Sequence, residues 1–181
     1  MNHGKNDELV LGIQATTRGF GFALFEAPLS PIDWGAKEIR KRKNETTLEK
    51  VASLIEWYQP TVIVLESTRG GRYRRSARIR RLFRGIAQLA RTRNVEVYRY
   101  SRAKTRACFE QLGATTKHEI AQVLGKHLPA LQPHVPRRRK IWMSEDHRMS
   151  IFDATALIFT YFYRDADHRV PRANSPANGR R

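Results

Sequence analysis

Residues 61–66, TVIVLE, decide how this chain is read. After Thr61 the apolar residues run without alternation to a terminal carboxylate, the mark of a strand buried on both faces in a parallel or mixed sheet. Glu66 then stands at the sheet's C-terminal edge. The stretch that follows, STRGGRYRRSARIRRLFR (67–84), carries eight arginines: Arg69, Arg72, Arg74, Arg75, Arg78, Arg80, Arg81 and Arg84. A guanidinium fork pairs bidentately with phosphate and stacks on bases, which a lysine cannot match. A charge run is often no more than a solvated helix face. Here its density and the near absence of acids point instead to nucleic acid.

Upstream of this pivot, ELVLGIQ and GFGFALFE read as a hairpin turning at 15–19, and Trp34–Arg40 as a third, shorter strand. Thr46 or Thr47 is the expected N-cap of a helix in which Leu48, Val51, Leu54, Ile55 and Tyr58 recur at helical spacing as far as Pro60. Downstream, a helix over Ile79–Arg91, the strand VEVYRY (95–100), and helices over Ser101–Leu112 and Thr116–Leu128 precede an irregular basic loop, Pro129–Lys140. Ser144 is the expected N-cap of a last helix running to about Tyr163, with Glu145 and Asp146 in its first turn. The organisation is therefore a polar start (1–8), one folded domain (9–164) and a basic tail (165–181) expected to be disordered. This order suits an α/β fold of the ribonuclease-H-like class. Its mixed sheet has an antiparallel start followed by parallel strands, with helices on its flanks.

Lys and Arg number 34 against 17 for Asp and Glu, a formal charge of +17. Self-repulsion of that size favours a polyanionic partner, and nucleic acid fits better than a membrane surface, because the basic segments lack an apolar interfacial face. The single cysteine, Cys108, excludes an internal disulfide and a cysteine-rich zinc site, and among apolar neighbours it reads as a small buried hydrophobe. His118 and His127 have no recognisable metal spacing. With no long apolar stretch and no hydrophobic leader, a soluble, cytoplasmic protein is expected.

LGIQATTRGFGFALFE, TVIVLES, RGIAQLA, VEVYRYSRAKTRACFEQLGATTKHEIAQVL and FDATALI, in that order, resemble the successive blocks of the RuvC family of Holliday-junction resolvases, over roughly residues 9 to 163. The resemblance implies a homodimeric endonuclease of DNA recombination and repair that cuts branched DNA. Its site would hold two Mg²⁺ or Mn²⁺ ions among acids on the first strand, at the end of the buried strand and one turn apart on the last helix. Two hard cations need several carboxylate oxygens, and together they activate water and stabilise the leaving oxygen. Glu66 and Asp153 hold two of these positions and are the implied catalytic residues and metal ligands. Read alone, Glu66 is a solvated turn residue and Asp153 an acid needing a partner or an ion.

The other two positions depart from the pattern. Gln14 stands where the first-strand acid is implied, and Ser150 one turn before Asp153. A neutral amide cannot bridge two cations. Asp146, seven residues before Asp153, is the possible substitute, but two helical turns separate them, and a first-turn acid favourable to the helix dipole is the plainer account. His147 reads as a surface or capping residue, and nothing places Glu26 near Glu66. These departures lead to the expectation of a branched-DNA-binding protein whose nuclease is weakened or lost, with no cofactor required. The alternatives are an active Mg²⁺- or Mn²⁺-dependent junction endonuclease and an RNA-associated structural protein on the same fold, with structured RNA as its partner.

The resemblance also implies an aromatic wedge in the loop after the buried strand, where Tyr73 either enters the junction or packs beneath the arginines. Lys104 and Lys117 fall at implied phosphate contacts, and Arg137, Arg138, Arg139 and Lys140 extend the basic surface.

Overall fold

The computed structural model describes residues 8–68 and 75–164. Arg69, Arg72, Tyr73 and Arg74, and the proposed tail, lie outside the described residues.

Among the described residues, five strands form one sheet: β1 (Val10–Ala15), β2 (Gly19–Ala27), β3 (Ser30–Glu38), β4 (Val62–Glu66) and β5 (Glu96–Tyr100), in the spatial order β3-β2-β1-β4-β5. The first three pair antiparallel, and β4 lies parallel to both β1 and β5, giving the expected mixed sheet. TVIVLE occupies the position its composition dictates: every residue of β4 is buried, between parallel neighbours.

Side-chain parity divides the core. Leu11, Ile13, Ile63 and Leu65 point to one face, which α1 (Lys43–Tyr58) and α2 (Ala77–Arg91) cover. Val10, Val62 and Val64 point to the other, covered by α3 (Arg102–Glu110), α4 (Lys117–His127) and α5 (Met149–Arg164). By the same alternation Gln14 and Glu66 belong to the α5 face. Gly12 lets α5 settle there, since a Cβ on it would lie 2.5 Å from the Ala154 carbonyl oxygen and 2.8 Å from Ile158 Cγ1.

Three elements begin well away from where the sequence places them. The third strand begins at Ser30 and ends at Glu38, because it zips along β2 from the tight turn onward. α1 starts a turn before the threonines, after Arg42 in a left-handed conformation, φ 44°. Asn44 explains this extension, for its side chain exchanges hydrogen bonds with Arg78 and ties the first turn to α2. Buried Thr47 donates its hydroxyl to the Lys43 carbonyl instead of capping. α5 starts at Met149, five residues after Ser144, so Glu145 and Asp146 precede the helix and are not first-turn acids. Asp146 accompanies that later start: its carboxylate accepts from the Arg148 backbone N–H, a capping-type bond, and from the Arg148 guanidinium. The Pro129–Lys140 loop contains one short 3-10 turn, Gln132–His134. Cys108 is half-buried and packs against the core.

Candidate nucleic-acid site

β1 and β4 run parallel with Ile13 beside Leu65, so one step further along the strands Gln14 comes beside Glu66. The Gln14 Nε2 amide donates to Glu66 Oε2 at 2.9 Å. This amide orientation follows from chemistry, since the opposite one would set a carbonyl oxygen against a carboxylate. Glu66 is 6% exposed and accepts from two guanidinium groups as well. Arg75, just before α2, donates Nε to Oε1 at 3.1 Å and Nη2 to Oε2. Arg102, the first residue of α3, donates Nε to Oε1 at 2.9 Å. Parallel pairing of β4 with β5 sets Tyr100 beside Glu66, and the β5–α3 junction delivers Arg102 from there. Burial by itself raises a carboxyl pKa, but the hydrogen bonds and charge of Arg75, with Gln14 and Arg102, outweigh it and hold Glu66 below its usual range.

Asp153 faces the same cleft from α5. Lys117, at the start of α4, donates to Asp153 Oδ2 at 2.7 Å and to Glu145 Oε1 at 3.0 Å. Burial pulls a lysine pKa down, yet these two carboxylates prevail and hold the ammonium protonated beyond its usual range. Burial pushes Asp153 up, against the pull of Lys117, and the charges of Glu145 and Glu66 add to the rise. The capping box of Thr116 and Glu119 fixes the helix end that presents Lys117. Gln14, Glu66, Arg102, Arg106, Lys117 and Asp153 together line a cleft of about 100 Å³.

Ser150 does not take up the role its position implies. It is 3% exposed, donates its hydroxyl to the His147 carbonyl, and packs against Gly21, the β2 partner of Gln14. Asp146 is bound to Arg148, whose hydrogen bonds lower its pKa, and it does not join Glu66 and Asp153 in lining the cleft. Glu26 is exposed at the far end of β2.

The donor set does not fit a pair of divalent cations. Hard cations require anionic oxygens with free lone pairs. Both oxygens of Glu66 already accept from arginine or amide, and Asp153 is paired with an ammonium. Among the described residues no group of three or more His, Cys, Asp or Glu side chains is arranged to hold a metal ion. Fixed side-chain cations stand among the carboxylates instead.

The arginine segment divides in two. Arg75 is committed to Glu66, and Arg78 to Asn44 and the Thr16 carbonyl, where it joins α1, α2 and the first hairpin turn. Arg80 is half-buried, and its guanidinium donates to the Arg75 carbonyl. Arg81 and Arg84 lie exposed on α2, with Arg91 following at helical spacing, opposite buried Ile79, Leu82, Phe83 and Ile86. Lys104 and residues 137–140 are exposed too. Sequence reasoning passed over Arg102 and Arg106, and took Glu145 only for a first-turn acid. Arg102 carries one legible signal, its place directly after the strand that flanks Glu66; Glu145 carries none, because its partner is set by the tertiary fold.

No protein-family model and no curated protein sequence matches this chain. Solved structures do. The chain is similar to RuvC of Thermus thermophilus, with a TM-score of 0.65 and 15% identity over 88% of this chain and 96% of that one. The same protein in complex with a Holliday junction substrate gives a TM-score of 0.60 at 15% identity, with the same coverage of both chains. The yeast mitochondrial Holliday junction resolvase Ydc2 gives 0.63 at 15% identity, covering 90% of this chain and 82% of its own. The chain therefore has the RuvC-like resolvase fold, a ribonuclease-H-like mixed sheet flanked by helices. No helix among the described residues is long and apolar enough to cross a membrane.

Proposed function

We propose that this chain binds branched DNA, as a homodimer, through a RuvC-like fold whose metal-dependent nuclease is weakened or lost. The observation that carries the proposal is the closed set of hydrogen bonds from Gln14, Arg75 and Arg102 to Glu66. In a two-metal nuclease the acids stay free for cations, and the cations bring in the phosphate. In this cleft the positive groups belong to the protein. They offset the carboxylates' repulsion of a phosphate without any added ion. Arg102, Arg106 and Lys117 are the groups offered to the scissile-type phosphate, and the α2 stripe of Arg81 and Arg84, Lys104 and the 137–140 run extend the contact to flanking phosphates.

The relation to solved resolvases, one of them seen with a Holliday junction substrate, favours branched DNA over other polyanions. The direct test is binding of a labelled four-way junction and of a duplex of the same arm sequence, at physiological salt, with Mg²⁺ and with EDTA. Junction binding selective over duplex and equal in the two conditions is the expected result. Binding that requires Mg²⁺ would count against built-in cations, and tighter binding of a structured RNA would favour the RNA-associated reading.

A further inference from the structure

The segment between the 3-10 turn and α5 carries a feature that the cleft does not use. Arg137, Arg138, Arg139 and Lys140 are followed directly by Ile141, Trp142 and Met143, and Ile141 and Trp142 are 98% and 80% exposed. Large apolar side chains held in water lose the stabilisation that burial gives, so a cluster of them at a fixed place marks a contact surface.

The place is fixed. Met143 donates its backbone N–H to the Lys140 carbonyl at 3.0 Å, and the Arg139 guanidinium donates to the Met143 carbonyl at 3.0 Å, closing the turn. Beyond it, Ser144 accepts from Arg18 of the first hairpin turn at 2.8 Å. Glu145 accepts from Lys117, which also lines the cleft. The turn is thus fastened to the cleft's edge through one shared lysine. Lys140 Nζ sits 5.3 Å from the Trp142 ring centre, a cation–π contact that presents indole and ammonium together.

We propose that this turn is a second nucleic-acid element, in which Trp142 stacks on a base left unpaired at a branch point while the cations of 137–140 hold the phosphates on either side. Charge complementarity selects the occupant. Four consecutive cations with no acid before Glu145, itself tied to Lys117, suit a polyanion and disfavour a second copy of this basic chain. An indole beside cations is what a splayed base and its backbone require, whereas a continuous duplex offers no free base face. The inference rests on the branched-DNA reading above and adds the chemical contact that would distinguish a branch from a duplex.

The test uses the full chain and a four-way junction with 2-aminopurine at the branch, beside a duplex carrying the same probe. Trp142→Ala is expected to lower junction affinity about tenfold and duplex affinity little, with Trp142→Phe retaining most of the binding. Probe fluorescence at the branch should be quenched by the parent protein and not by Trp142→Ala. Trp57→Ala, which removes an equally exposed tryptophan of α1, is the control and should bind as the parent does. Three results would overturn the inference: junction affinity unchanged in Trp142→Ala, an equal loss on junction and duplex, or a loss explained by conversion of a dimer to a monomer. If the parent protein itself ignores the junction, the branched-DNA reading fails first and this inference with it.

Discussion

Gln14 and Glu66 show how one atom changes the chemistry of a site. On adjacent parallel strands, two carboxylates would repel each other until a cation joined them; an amide donates a hydrogen bond to the remaining carboxylate. Arg75 and Arg102 complete the set, so Glu66 is a buried, charged and fully partnered group. Its lowered pKa has a definite consequence. A carboxyl whose folded pKa lies below its unfolded value contributes stability that is complete above the unfolded value, near 4.5, and is lost as pH falls through the folded one. Urea melts between pH 3 and 7 should therefore show the parent losing more stability below pH 4.5 than Glu66→Gln, which has nothing to protonate there. Parallel pH curves for the two proteins would mean that Glu66 is not paired in this way. At pH 7, truncating Glu66 to Ala should cost about 3 kcal/mol or more, since two guanidinium groups and an amide lose their acceptor.

At the scale of elements, what was legible depended on how local the determinant is. TVIVLE announced a central strand, because burial on both faces leaves a composition that no surface strand has. The antiparallel start, α2, α3 and α4 followed from the apolar pattern, and the structure adds their caps, Ser76, Ser101 and Thr116. The start of α1 was hidden, because Asn44 acts through Arg78, 34 residues away. The start of α5 was misplaced for a similar reason: Ser144 resembles an N-cap, but its hydroxyl accepts from Arg18 and leaves the helix to begin at Met149. Of the cleft, Gln14, Glu66, Lys117 and Asp153 were legible from the order of blocks, and the pairing that neutralises them was not. The seating of α5 on β1 is itself testable. Gly12→Ala sets a methyl group against the Ala154 carbonyl and Ile158, and should destabilise the protein by about 1–3 kcal/mol in urea unfolding. A variant as stable as the parent would mean that α5 does not approach the sheet this closely.

For the molecule as a whole, the charge of +17 and the side-chain cations of the cleft both favour a polyanionic partner, in line with the proposed branched-DNA reading. A basic protein that relied on bound metal to neutralise its own acids would couple DNA affinity to metal supply. Here the sheet and three surrounding helices bring arginine, lysine and amide to the acids directly. Loss of affinity with rising salt follows from phosphate contacts in any such protein and separates no readings. Cleavage does. A labelled four-way junction incubated with the protein and Mg²⁺ or Mn²⁺ should be recovered bound and intact. Strand cutting by the parent protein that disappears in Glu66→Gln would contradict the account.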